Sequence, residues 1–320
     1  DNREMQRVAM ISTLRLIAPP NCLPSFAMLV IISDLHLTDG SSGSTISPGA
    51  FQLLSQRIAD LGAGASNRRD GVYRPIDRVD LLLLGDVLDV IRSGRWLQAQ
   101  PRPWDDVECP RLAATVAEIT RGILTNNAEA TGHLRQLAEH GIRVPAALSN
   151  GRSATDALQQ VPVRIHYMVG NHDWFYHLPG EPYDRLRSEV TRALGLATPP
   201  QAPFPHEAWE SNELLQTLRR HRVFARHGDV FDPFNYEGER DASSLGDVLV
   251  LELLSRFSAL VEQELGEDLP DSALIGLREI DNVRPLLLIP VWIEGLLERS
   301  CPQPALRKQV KRIWDRLAAE

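Results

Sequence analysis

Apolar residues gather first in short unbroken runs and later in helical stripes. Residues 28–33 form a continuous apolar run, the pattern of a central strand buried on both faces. Residues 79–84 and 163–169 read as a second and third strand, and residues 222–225 as a fourth. Between the first two runs Ser47 is placed to cap a helix with Pro48 at its first position; Phe51, Leu54, Ile58 and Leu61 make the apolar face, and Gly62 closes it. Residues 62–77 read as a polar loop. Residues 111–140 have helical period, and Gly122 and Gly132 suggest two shorter helices, with a flexible stretch following at 149–155. From Leu245 the pattern turns helical: Val248, Leu249, Leu253, Phe257 and Leu260 form one stripe, and Ile313, Trp314 and Leu317 end another.

Strands alternating with helices predict an α/β fold. Each expected strand also runs into a polar block: Ser33-Asp34-Leu35-His36, Gly85-Asp86, Gly170-Asn171-His172-Asp173 and Arg226-His227-Gly228-Asp229. Open α/β sheets place their sites beyond the carboxyl ends of the strands, so the repeated position points to one composite site.

Composition narrows the setting. A chain of 320 residues, 43% apolar, can bury a large core, and one α/β domain with a helical insertion is expected. Cys22, Cys109 and Cys301 are far apart and never paired as CxxC, which argues against a disulfide framework or a zinc ribbon and fits a reducing cytoplasm. A net charge of -8 repels polyanions, so a nucleic-acid partner is not expected. No run reaches the roughly 18 apolar residues of a transmembrane span. Residues 1–27 carry Arg3, Arg7 and Arg15 around an apolar stretch broken by Pro19, Pro20 and Pro24, which is no signal peptide; they are expected to be a poorly ordered leader or non-native segment, with Met28 the true start.

The residue types in the blocks are metal ligands. Asp34 and His36 alternate along what reads as extended chain, so both face one side and can share an ion. Asp86 has two oxygens with which to bridge two cations, while Asn171 offers an amide oxygen and His227 an imidazole nitrogen to the second. Such mixed oxygen and nitrogen sets suit divalent Mn, Fe, Zn or Co. Two such ions, roughly 3.5–4 Å apart, can acidify a shared hydroxide and clamp the oxygens of an in-line phosphoryl displacement. His172 faces away from the metals and is suited to protonate the leaving alcohol, with Asp173 placed to hold its tautomer.

In order and spacing, Asp34-Leu-His36, Gly85-Asp86 and Gly170-Asn171-His172-Asp173 resemble the calcineurin-like metallophosphoesterases over residues 28–232. The resemblance implies a layered α/β sandwich of the metallophosphoesterase type. It also implies a first metal on Asp34, His36 and Asp86, a second on Asp86, Asn171 and His227, and His172 as the acid. His227-Gly228-Asp229, and Gly85-Asp86-Val87-Leu88-Asp89 followed by Trp96, are similar to the subgroup containing UDP-diacylglucosamine hydrolases, which usually carry Arg where this chain has His172. The family closes its site with Gly-His-x-His, yet no histidine follows His227. The expectation is therefore a core at 28–244, lacking its last ligand element through truncation, and a helical insertion or cap at 245–320.

Several residues carry two readings. Arg92 and Arg95 either grip a substrate phosphate bidentately or belong to a solvated loop. His177 either touches a phosphate or lies on the surface; His133, His140 and His206 are expected on solvated surfaces, and His166 on a sheet face. Leu286 to Ile289, with Val291, Trp292 and Ile293, either line a lipid groove or form helix core. The resulting expectation is a cytoplasmic metal-dependent phosphoester hydrolase acting on a phosphorylated small molecule or phospholipid-like substrate. Its rivals are a nuclease of the same superfamily and a non-catalytic binding module.

Overall fold

The computed structural model describes residues 26–43, 46–98 and 100–320. The expected leader falls almost wholly outside them. Strand β1 (Ala27–Ile32), helix α1 (Pro48–Ala65) and strand β2 (Arg78–Leu84) form the first strand–helix–strand unit. Helices α2 (Pro110–Asn126) and α3 (Ala128–His140), then strands β3 (Ile142–Ala147) and β4 (Ser153–Val161), precede strand β5 (Val163–Met168). The fold is mixed α/β with a small parallel sheet in the order β1-β2-β5, and crossovers carry the helices that parallel pairing demands. Leu29 pairs with Asp80 and Leu81 with Ile165, which brings the carboxyl ends of all three strands to one edge.

Several elements differ from the sequence expectation, each for a local reason. β2, not β1, is the central strand: Val79, Leu81, Leu82 and Leu83 are fully buried, whereas β1 lies at the edge of the sheet with Ile31 exposed. Helix α1 runs through Gly62 instead of stopping there. A Cβ on Gly62 would come within 2.7 Å of Ile142 Cδ1, so the glycine serves close packing of α1 on β3. The break between α2 and α3 falls at Asn127, whose amide donates to the Thr38 and Ile123 carbonyls at 2.8 Å each. The stretch expected to be flexible is an antiparallel hairpin, β3 with β4, turning at Asn150-Gly151, where Gly151 takes φ 76°. Residues 222–225 form no strand: Arg222 takes φ 56° at the end of α5 (Asn212–His221), and the segment runs on without a ladder.

Helix α4 (Glu181–Leu194) packs with α2 and α3 over the sheet. At the C-terminal side, Ser244 caps a single turn, α6 (Leu245–Val248), which passes through a π-helical stretch, Leu249–Ser255, into α7 (Arg256–Leu265). Helices α8 (Asp271–Leu277), α9 (Ile289–Ser300) and α10 (Pro304–Leu317) complete this part. It buries its own apolar cluster, with Phe257, Val261, Ile293, Val310 and Trp314, separate from the cluster under the sheet. Leu251 of the π-helical stretch packs into the sheet's cluster, and Arg92 reaches Asp281 at 2.7 Å, joining the two parts. Among the described residues no helix is long and apolar enough to cross a membrane.

Candidate metal centre

The loops after β1, β2 and β5, together with the segment after α5, line a cleft of about 450 Å³. Asp34, His36, Asp86, Asn171, His172 and His227 all line it, so every residue expected at the metal site or as the acid comes to one place. The backbone there is not extended. Asp34, His36 and Asp86 take φ of 56°, 44° and 52°, a left-handed conformation that costs non-glycine residues about 1 kcal/mol or more each and is sustained only where surroundings impose it. The surroundings are visible: Asp34 and His36 donate their backbone N–H groups to the Gly85 and Asp86 carbonyls at 3.1 and 2.8 Å. The kinked loop, not strand alternation, aims the two side chains.

Two imidazoles have their tautomers set by acceptor-only partners. His36 Nδ1 donates to Asp89 Oδ2 at 2.6 Å, and His227 Nδ1 donates to the Leu84 carbonyl at 3.0 Å. Each ring therefore presents Nε2 to the cleft, the arrangement that outer hydrogen bonds give metal-binding histidines. His36 Nε2 lies 3.9 Å from Asp34 Oδ1 and 3.9 Å from Asp86 Oδ2. His227 Nε2 lies 3.3 Å from the same Asp86 Oδ2 and 3.2 Å from Asn171 Oδ1. Asp86 Oδ2 thus lies between the two imidazoles, while its Oδ1 accepts the backbone N–H of His172 at 2.9 Å.

Two glycines make this approach possible. A Cβ on Gly85 would collide with the His227 ring, and one on Gly170 would strike Asp86 Oδ1 and come within 2.7 Å of His227 Nε2. The Gly-Asp and Gly-Asn pairs are therefore a space requirement, with the positive φ of Gly85 an added reason at that position.

The electrostatics follow from crowding. Burial works against charge on Asp86, but His172, His227 and His36 hold its carboxyl down to about 2. Burial likewise opposes charge on His227, yet the Asp86 carboxylate raises it to about 9. His172 is raised well above the ordinary imidazole value, against burial, by Asp89 and Asp86. The carboxylates that draw protons onto these rings would equally draw divalent cations.

Asp89, quoted in the sequence motif but given no role there, is the hub. One oxygen takes His36 and the other accepts His172 Nδ1 at 2.8 Å. The role expected of Asp173 belongs to Asp89. Asp173 turns inward instead, accepting from the Val87 and Gly170 N–H groups at 2.8 and 2.6 Å and from the Tyr167 hydroxyl at 2.6 Å; burial, then the Asp86 charge, pushes it up to about 6.

The arginines expected at a phosphate are engaged elsewhere. Arg92 is buried, 2.7 Å from Asp281 and 3.2 Å from Asn282, and holds the helical part against the sheet. Arg95 lies near Asp39 and Glu118 and does not line the cleft. His177 does not line it either. The arginine on its wall is Arg284, on the loop between α8 and α9, which no strand-end motif could signal. Asp229 and Asp232 line the cleft too, with Asp229 held by Arg240 at 2.9 and 3.2 Å.

No family model matches the chain, and no curated protein or solved structure matches it significantly.

Proposed function

We propose that this protein is a metal-dependent phosphoester hydrolase of the calcineurin-like type, built on a layered α/β sandwich of that family. The observation that carries this reading is Asp86 Oδ2, shared between the Nε2 atoms of His36 and His227, each ring oriented by an acceptor behind it. Asp34, His36 and Asp86 would hold one divalent cation, and Asp86, Asn171 and His227 a second. When bound, such ions supply Lewis-acid charge for phosphoryl oxygens and lower the pKa of a coordinated water. His172 lines the same cleft with Nδ1 held by Asp89, which leaves Nε2 as the nitrogen that gives a proton to a departing alkoxide. Arg284, whose Nη1 donates to the Asp281 and Val283 carbonyls at 2.6 and 3.0 Å, would meet a phosphate oxygen with its remaining N–H groups, and Leu249, Val250 and Leu286 give the cleft an apolar wall suited to a substrate that carries a hydrocarbon portion. Leu287 and Leu288, next along the chain, are exposed to solvent. The test is hydrolysis of aryl phosphate mono- and diesters with added Mn2+, by the chain and by Asp86→Asn. Turnover that needs the metal and is lost in the variant supports the reading; no metal-dependent turnover of either ester contradicts it.

A further inference from the structure

Away from the cleft, His177, His206 and Asp241 bring one ligand atom each to within 4.8 Å of the others. They come from three irregular segments: His177 directly follows the short turn Trp174–Tyr176, His206 lies in the loop after α4, and Asp241 in the loop before α6. His206, expected on the surface, is buried. His177 Nδ1 lies 3.0 Å from the Phe204 carbonyl, and because a carbonyl only accepts, that nitrogen carries the hydrogen. Its Nε2 is then turned toward Asp241 Oδ2, 3.8 Å away, too far for a direct hydrogen bond and wide enough for an ion between them. His206 Nε2 stands 2.9 Å from Asp241 Oδ1, and the two imidazole centroids are 4.5 Å apart.

We propose that His177 Nε2, His206 Nε2 and the Asp241 carboxylate form a second cation site, suited to a zinc-type ion and sharing no ligand with the Asp86 centre. Ligands on a tetrahedral zinc, with bonds of about 2.0–2.1 Å, stand roughly 3.3 Å apart, and the two contacts to Asp241, at 2.9 and 3.8 Å, bracket that spacing. Two imidazoles and one carboxylate make a borderline donor set, and the part-exposed edges of His177 and Asp241 leave a fourth position open to water. The Phe204 carbonyl behind His177 is the outer contact that orients a metal-binding ring. A plain hydrogen bond accounts for His206 with Asp241, whereas at 3.8 Å none joins His177 Nε2 to the same carboxylate. The ion would tie together three segments that otherwise lack a ladder, and next to Asp241, Arg240 reaches Asp229 and Glu207 and so links the site to the cleft wall.

The test uses the full chain, stripped of metal and titrated with Zn2+. His177→Ala and Asp241→Asn should each bind one equivalent fewer than the unaltered chain while keeping its far-ultraviolet circular dichroism. Equal stoichiometry in folded variants would overturn the site. A second measurement needs no variant of these residues: carbethoxylation of His177 by diethyl pyrocarbonate, read by peptide mass spectrometry. Zn2+ should suppress it in the unaltered chain and equally in Asp86→Asn, whose main centre is disabled. Modification of His177 undiminished by Zn2+, or protection that vanishes in Asp86→Asn, would overturn the proposal whatever becomes of the phosphoesterase reading.

Discussion

Asp89 accepts the Nδ1 hydrogen of His36 at 2.6 Å, so a fully buried carboxylate fixes which nitrogen of that ring faces the cleft. Its other oxygen does the same for His172. An asparagine there has one acceptor atom for two donors and turns an N–H toward the other ring. Asp89→Asn should therefore weaken Mn2+ or Zn2+ binding by roughly 10–100-fold, the usual cost of losing an outer-sphere partner. Calorimetric titration checks it, and unchanged affinity would remove Asp89 from the centre.

Gly170→Ala places a methyl group against Asp86 and His227. It should abolish tight metal binding. Gly132→Ala, in α3 where an added methyl meets nothing within 4 Å, should leave binding intact and stabilise the fold by about 0.5–1 kcal/mol. Metal content and thermal unfolding of the two variants, side by side, separate a steric requirement at the site from a general effect of losing glycine.

His172→Ala should keep its metal yet lose roughly 10²-fold or more in turnover of esters with poor leaving groups, the usual scale for removing a general acid. For an activated aryl ester the loss should shrink, because that leaving group departs without a proton. Equal losses for both would make His172 a positioning residue.

Asp80 is buried at the far side of the sheet, 2.9 Å from Arg78, 3.5 Å from His166 and 3.4 Å from His221. Burial works against its charge, but His166 and Arg78 outweigh it and hold its carboxyl below the ordinary 3.8. A depressed folded-state value means stability that is present above the unfolded value and lost as pH falls toward the folded one. Asp80→Asn should cost about 3–5 kcal/mol at neutral pH, the usual scale for removing one partner of a buried ion pair. The difference from the unaltered chain should shrink below about pH 4. Urea unfolding across that range measures it, and a constant difference would contradict the assignment.

The cleft residues after β1, β2 and β5 were legible because each sits where an apolar run stops, and a strand end leaves few places for the next side chain to go; His227 reaches the same cleft although no strand precedes it. Asp89 was visible in the string Gly85-Asp86-Val87-Leu88-Asp89, but nothing in a string says which carboxylate lies behind which imidazole; that depends on the left-handed turn at Asp86. Arg284 and the burial of His206 depend on how distant loops fold back, which carries no local period. The β3–β4 hairpin was a missed local signal, since Asn-Gly between two runs of mixed polarity is itself a turn code. Residues 222–225 were the reverse case: three apolar residues after Arg222 read as a strand, but Arg222 takes a left-handed turn and the segment packs Ala225 against the sheet's Leu82 and Met168 without forming a ladder.

Electron paramagnetic resonance of the Mn2+-loaded chain reads whether Asp86 joins two cations. Two ions sharing Asp86 Oδ2 are close enough for their spins to couple, so the loaded chain should give an exchange-coupled dimanganese spectrum that disappears in Asp86→Asn. A spectrum of magnetically isolated Mn2+ alone, at full loading of the unaltered chain, would contradict it.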